Sequence, residues 1–238
     1  MAQANNYTIE NFDPEVLREY DIRGVVGENI NENTAYTIGR TFGYTVKSKL
    51  TSHTIVTGYD GRLTSPSLHK ALCEGLKDSG VKVINIGMGP TPMTYFAHYH
   101  FEADAAVMLT GSHNPSEYNG FKMVFNKHSF FAEDIQSLQK LLDNNALELA
   151  DGQIIEQDIT KEYIERDLLN ISLNRKLKIA WDPGNGAMGK ITRKITEKLF
   201  NSENIIINEE VDGNFPNHHP DPTVPKNMIQ LIETVNKN

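Results

Sequence analysis

The residues best equipped for chemistry are Thr110-Gly-Ser-His-Asn-Pro115, a serine between a glycine and a histidine, with Asn114-Pro115 turning the chain. The apolar run Val107-Met-Leu109 leads in and Gly120-Phe-Lys-Met-Val-Phe125 leads out, so the pattern is strand, exposed loop, strand. Ser112 at the tip admits three readings. A solvated hairpin rich in turn formers needs no chemistry at all. A hydrolase nucleophile with His113 as base is a poorer fit, because neighbours on a tight loop seldom face each other and no G-x-S-x-G elbow surrounds Ser112. The third reading is a phosphoryl carrier. Phosphoryl transfer asks for placed positive charge, a metal and a nucleophile held in line. Lys122 follows the loop, and Arg23 and Arg62 lie in other loops that an α/β order can bring to the same side. This cationic company favours the third reading.

The elements that must position these residues alternate. Leu17-Arg-Glu-Tyr-Asp-Ile-Arg-Gly24 is a charge-dense turn leading into a strand. Asn31 or Asn33 caps a predicted helix whose apolar positions Ala35, Ile38, Phe42, Val46 and Leu50 recur at threes and fours. A strand at Thr54-Ile-Val-Thr57 ends in the loop Gly58-Tyr-Asp-Gly-Arg62, and Ser65-Pro66 opens a helix as N-cap and first turn, with Leu68, Leu72 and Leu76 inward and Gly80 at its end. Residues 81–86 form the next strand, and Thr91-Pro92 opens another helix. In such folds ligand sites gather in loops at the carboxyl ends of strands, here residues 59–62, 87–91 and the Ser112 loop.

A helix with Ile135, Leu138, Leu141 and Leu142 closes the first unit, ending at Asp143-Asn-Asn145. The turn-rich stretch to Gln157 shows little periodicity, which puts a domain boundary between residues 150 and 151. A linking helix with Tyr163, Ile164, Leu168 and Ile171 follows, then a strand Leu177-Lys-Ile-Ala-Trp181 and a helix with Met188, Ile191, Ile195 and Leu199 inward. A strand at Ile205-Ile-Ile207, a proline- and histidine-rich loop over residues 212–225 and a helix with Met228, Ile232 and Val235 complete the chain. The expected fold class is α/β, two consecutive layered domains with mixed sheets between helices, residues 1–150 and 151–238, the second incomplete.

Bulk properties exclude more than they identify. The 238 residues carry 23 basic and 31 acidic side chains, a net charge of −8 that argues against a general nucleic-acid surface. A lone cysteine, Cys73, rules out an intrachain disulfide or a cysteine zinc cluster. Residues 1–13 are polar, and no run approaches the roughly 18 apolar residues of a membrane helix, so the expectation is a soluble, cytoplasmic protein with no membrane partner.

One further motif weighs against this scheme. Gly184-Asn-Gly-Ala-Met-Gly189 fits the dinucleotide pattern G-x-G-x-x-G, with Glu209 some way downstream. Asp182-Pro183 stands before it, however, and sets a carboxylate where a pyrophosphate would approach the helix start. A tight structural turn is the better reading.

Taken together, Thr110-Gly-Ser-His-Asn-Pro115 with Tyr118-Asn-Gly-Phe-Lys122 resembles the active-site loop of the α-D-phosphohexomutases, specifically the bacterial phosphomannomutase/phosphoglucomutase group. Residues 17–24, Asp60-Gly-Arg62, Asp182-Pro-Gly-Asn-Gly186 and Phe215-Pro-Asn-His-His-Pro-Asp-Pro222 are similar to the family's other landmarks, in the same order. Gly111 and Phe121 favour this group over the phosphoglucosamine mutases. The resemblance implies that Ser112 is phosphorylated in the resting enzyme and exchanges its phosphate with a hexose phosphate substrate (mannose and/or glucose) through a 1,6-bisphosphate. It implies that Arg23 and Lys122 stabilise charge and assist proton transfer, that His113 and Tyr20 shape the pocket, and that Arg62 binds substrate. It further implies Mg²⁺, with Ser112 as one ligand and the others beyond residue 238, and glucose or mannose 1,6-bisphosphate as activator. By the same resemblance the chain looks like the N-terminal half of a four-domain protein, partnered by its own missing C-terminal domains and inactive without them. The alternatives are a non-catalytic phosphoprotein or phosphosugar-binding remnant, or half of a phosphoglucosamine mutase.

Overall fold

The computed structural model describes residues 6–144 and 147–238; the first five residues of the polar start and Asn145 of the expected helix end lie outside these. In chain order the first unit comprises β1 (Ile22–Val25), α1 (Glu32–Lys49), β2 (Thr54–Tyr59), α2 (Ser65–Lys77), β3 (Lys82–Met88), α3 (Thr91–His100), β4 (Ala105–Leu109), β5 (Tyr118–Phe125), β6 (His128–Phe130), α4 (Glu133–Asp143) and β7 (Gln153–Glu156). After it come α5 (Thr160–Leu168), β8 (Leu177–Trp181), α6 (Gly189–Lys198), β9 (Ser202–Ile206), a 3₁₀ turn (Pro225–Met228) and α7 (Ile229–Lys237).

Local chemistry sets the helix starts. Asn31 is the α1 cap: its side chain accepts from the Asn33 and Thr34 amides while the Thr34 hydroxyl accepts from the Asn31 amide, a reciprocal capping box. At α2 the cap position falls on Thr64, not on Ser65 as expected. Ser65 is the first helical residue, and its hydroxyl donates to Asp60 Oδ1 at 2.6 Å instead of closing the helix end.

The main sheet runs β1-β5-β4-β2-β3-β7, with β6 added on β5. Strands β4, β2, β3 and β7 are mutually parallel, and β1, β5 and β6 pair antiparallel, so the sheet is mixed. Two consequences position the site. The parallel strands β2, β3 and β4 end on one edge, which gathers their following loops. The antiparallel β4–β5 pair makes the Ser112 loop a hairpin, with Met108 opposite Lys122 and Leu109 opposite Phe121.

Side-chain alternation along the strands builds a core on each face. Ile55, Val83, Ala105 and Val107 pack with Ile38 and Phe42 of α1, Leu72 and Leu76 of α2 and Leu138 of α4. Val56, Ile84 and Ala106 pack on the other face with Met93 of α3, Tyr163 of α5 and Ile191 and Ile195 of α6. Each fully buried Leu, Ile or Phe contributes roughly 1.5–3 kcal/mol relative to exposure. Because α6 joins this second core, the second unit rests on the sheet that carries the serine loop.

The structure departs from expectation at three places. The stretch assigned no regular structure contains β7, which pairs in parallel with β3, Lys82 opposite Gln153; a boundary between residues 150 and 151 would cut this strand from its own sheet. Helix α5 stops at Leu168, so Ile171, expected within it, lies beyond its end and is half-exposed. On α7, Ile232 and Val235 of the expected helix are more than half exposed and meet no core among the described residues. The pair β8–β9 is parallel and two-stranded.

Candidate active site

The site is assembled from backbone ends. Asp60 follows β2, and its carboxylate is an acceptor hub. Oδ1 takes the Arg62 amide at 3.1 Å and the Ser65 hydroxyl at 2.6 Å. Oδ2 takes Arg62 Nε at 3.2 Å, the Thr110 hydroxyl at 2.8 Å and the Gly111 amide at 3.2 Å. Thr110 Oγ1 in turn accepts from the Ser112 amide at 2.9 Å. Ser112 itself has φ of +54°, a conformation that costs a non-glycine residue about 1–2 kcal/mol and persists only where its surroundings hold it.

Arg62 supplies much of that hold. Its side chain is 1% exposed. Nη2 donates to the carbonyls of Ser112 at 3.0 Å and Asn114 at 2.7 Å, and Nη1 to those of Pro115 and Tyr118. Burial pulls the guanidinium below its ordinary pKa, and the adjacent Asp60 carboxylate opposes that pull. Gly111 is required here by close approach: a Cβ at this position would stand 2.4 Å from Arg62 Cζ and Nε.

On the other side of the loop the sheet register sets two cations over one acid. Arg23 on β1 lies opposite Gly120 on β5, and Lys122 is two residues further along the same face. Asp21, only 8% exposed at its side chain, receives Lys122 Nζ on Oδ2 at 3.1 Å and is ion-paired with Arg23 Nη2. Arg23 Nη1 donates to Asn114 Oδ1 at 2.9 Å, while its Nε is buried with no partner among the described residues. Arg23 and Lys122 thus converge beside the loop. His113 is mostly exposed, 3.9 Å from Asp221 of the second unit. Tyr20, 71% exposed, stands outside the network. Arg62, expected to offer its guanidinium to substrate, has it turned into the loop.

A cavity of about 260 Å³ opens where Thr110, Ser112 and His113 meet Pro183, Phe215 and Pro220 of the second unit. A larger groove of about 610 Å³ between α5 and α6 is lined by Leu168, Leu169, Leu199 and Phe200, and offers little chemistry. The glycine-rich turn at residues 184–189 packs closely against its own chain at both ends. His218 lies against Gly184, and a Cβ on Gly189 would meet the Glu209 carbonyl at 1.8 Å, so the chain's own close approach accounts for these two glycines. Asp182 Oδ1 accepts from the Gly184 amide at 2.9 Å and its Oδ2 meets His218 Nε2 at 2.8 Å.

Four residues of this arrangement carried no assigned role in the sequence reading: Asp21, Asp60, Thr110 and Phe215. Asp21 could have been found by extending the β1–β5 register one step, which sets it opposite Lys122.

Residues 14–148 match the α/β/α domain I of the phosphoglucomutase/phosphomannomutase family, and residues 161–238 match its domain II. The chain belongs to this family. Among its relatives, a phosphomannomutase/phosphoglucomutase of Pseudomonas putida is 44% identical over 220 residues, covering 92% of this chain and 47% of its own length. A phosphoglucomutase of Neisseria gonorrhoeae is 41% identical over the same shares. The crystal structure of a phosphoglucomutase/phosphomannomutase family protein from Burkholderia thailandensis superposes with a TM-score of 0.89 at 36% identity, over 95% of this chain and 51% of that one. The chain therefore spans about half the length of the family members it matches. Among the described residues no helix is long and apolar enough to cross a membrane.

Mg²⁺ prefers six oxygen ligands in a near-octahedral shell. Among the described residues no group of three or more His, Cys, Asp or Glu converges on such a site, and both oxygens of Asp60 are already taken by donors. The described residues do not form a Mg²⁺ site by themselves.

Proposed function

We propose that this chain carries the phosphoserine half of a hexose-phosphate mutase, exchanging hexose 1-phosphate and 6-phosphate, of mannose and/or glucose, through a 1,6-bisphosphate. The observation that carries the reading is the convergence of Arg23 and Lys122 on Asp21 beside a serine loop held rigid from within. Membership in the mutase family supplies the substrate class.

In this reading Ser112 holds the phosphoryl group in the cavity shared by the two units. The substrate hydroxyl attacks phosphorus as the bond to Ser112 Oγ breaks, and the proton that leaves the hydroxyl is balanced by the one gained at Oγ. Charge spreads over the equatorial oxygens in such transfers, so fixed cations beside the loop lower the barrier without reorganising. Arg23 and Lys122 fill that role and assist the proton movement. Asp21 keeps both in place through its ion pairs with them. His113 shapes the wall toward the second unit, and Tyr20 lies at the margin where a larger ligand would reach it. Reversal of the step, with the bisphosphate turned end for end, returns the other phosphate to Ser112.

The test is direct. Full-length protein incubated with glucose 1,6-bisphosphate should gain the mass of one phosphoryl group, located on Ser112 by peptide mapping, and Ser112→Ala should gain none. A label on any other residue sinks the assignment. A protein that binds hexose phosphate yet never takes up the label is a phosphosugar-binding remnant instead.

A further inference from the structure

We propose that Arg62 is a positioning residue for Ser112, not a substrate ligand; the inference rests on Ser112 being the phosphoryl carrier. A guanidinium has five N–H donors. In this structure five acceptors meet them: Asp60 Oδ2 on Nε, the Pro115 and Tyr118 carbonyls on Nη1, and the Ser112 and Asn114 carbonyls on Nη2. No donor is left to turn toward a ligand. The four carbonyls belong to one loop and span it from the nucleophile to the first residue of β5. Within that loop only the Asn114 and Tyr118 amides close backbone hydrogen bonds, to Gly111 and Pro115. The loop is thus tied less by its own backbone than by one buried side chain.

The tie acts at the residue that matters. Ser112 contributes its carbonyl to Arg62 and its amide to Thr110, so both peptide groups flanking its α-carbon are fixed. With φ at +54°, Ser112 would otherwise relax toward an ordinary conformation and carry Oγ with it. In-line phosphoryl transfer is sensitive to such displacement, and an error of about 1 Å can cost about 10²-fold in rate. Arg62 is itself positioned by Asp60, which binds the opposite end of the loop through Thr110 and Gly111. Carboxylate and guanidinium therefore grip the loop from both ends while facing each other at 3.2 Å.

The test compares wild type with Arg62→Lys, which keeps the charge but cannot serve four carbonyls. Amide hydrogen exchange should quicken about tenfold or more over residues 111–118, while Thr54–Tyr59 and Ala105–Leu109 change less than about twofold. The rate of Ser112 phosphorylation by glucose 1,6-bisphosphate should fall about 10²-fold, with the half-saturating concentration unchanged within about threefold. A raised half-saturating concentration at unchanged rate would make Arg62 a substrate ligand and overturn the proposal. So would equal loosening of loop and strands, which would make it a general core prop. If Arg62→Lys does not fold, Arg62→Gln, which keeps two of the five N–H donors and leaves the loop backbone untouched, should give the same pattern. Absence of labelling in the wild type would remove the phosphoserine reading alone, and the exchange profile would still decide whether Arg62 holds the loop.

Discussion

The Phe215 ring lies over the guanidinium of Arg62, with Cζ 5.2 Å from the ring centroid. The buried fork that grips the serine loop is thereby covered by an aromatic side chain from the second unit, and the same ring lines the cavity that holds Ser112. A cation over an aromatic face contributes about 0.5–2 kcal/mol, more as it is desolvated. Phe215→Leu keeps apolar cover and loses the π face; Phe215→Ala loses both. The expected order of unfolding free energy by urea titration is wild type, then Leu lower by about 1 kcal/mol, then Ala lower by about 2–3 kcal/mol.

Asp21 anchors two cations, so Asp21→Asn should cost more than one hydrogen bond. Removing the acid leaves Arg23 and Lys122 facing each other across β1 and β5, with their side chains only 17% and 28% exposed. A fully buried pair broken in this way costs about 3–5 kcal/mol, and partial solvent access reduces the expectation here to about 1–2 kcal/mol. The rate of Ser112 labelling should fall by at least about tenfold, while Asp21→Glu recovers part of it. An unaltered labelling rate in Asp21→Asn would remove Asp21 from the positioning of the two cations.

His218 gives the fold a dependence on pH. Its two ring nitrogens face acceptors only, Asp182 Oδ2 at 2.8 Å and the His219 carbonyl at 3.0 Å, an arrangement satisfied when both nitrogens carry protons. Burial pulls the imidazolium down, but the His219 carbonyl and the Asp182 carboxylate together prevail, and the pKa is raised above 6.5. A histidine pKa raised by folding stabilises fully below the unfolded value of 6.5, and that contribution is lost as pH climbs through the folded value. His113 and Asp221 share the neighbouring cleft, so the expected signature is a difference: stability of wild type minus His218→Gln should decline from pH 6 upward. A flat difference would show that the imidazole is not charged in the fold.

Cys73 should be silent. It is 3% exposed, and burial pushes its thiol up to about 12, so almost no thiolate exists at neutral pH. Iodoacetamide should label it only on unfolding, and native-state labelling at the rate of a free thiol would contradict the packing of α2 on β2. His69, one turn earlier on the same face, is lowered by burial to about 4. Folding there is weakened as pH falls below 6.5, because the unfolded chain takes up the proton first.

Much of the scaffold was legible because α/β order writes itself in alternating periods. The stripes of α1, α2 and α6, the parallel strands and the serine hairpin all follow from spacing and turn residues. What escaped is short or relational. β6 has three residues and β7 four, too few for a period of two to stand out, and β7 forms only because β3 offers an open edge. Ser65 had the right type for a cap, yet Asp60 lay within reach and took its hydroxyl. Arg62 was visible as a cation in a loop at a strand end. Whether such a residue faces ligand or protein depends on the carbonyls around it, and residue type is silent about those.

The four carbonyls held by Arg62 belong to the main chain at Ser112, Asn114, Pro115 and Tyr118. A grip made on peptide groups is indifferent to what the side chains are. His113, Ser116 and Glu117, all exposed, are therefore free to change identity without moving Ser112. Position and surface chemistry at this loop can drift apart: the place of Ser112 is set from beneath, and the exposed side chains around it are left open to variation.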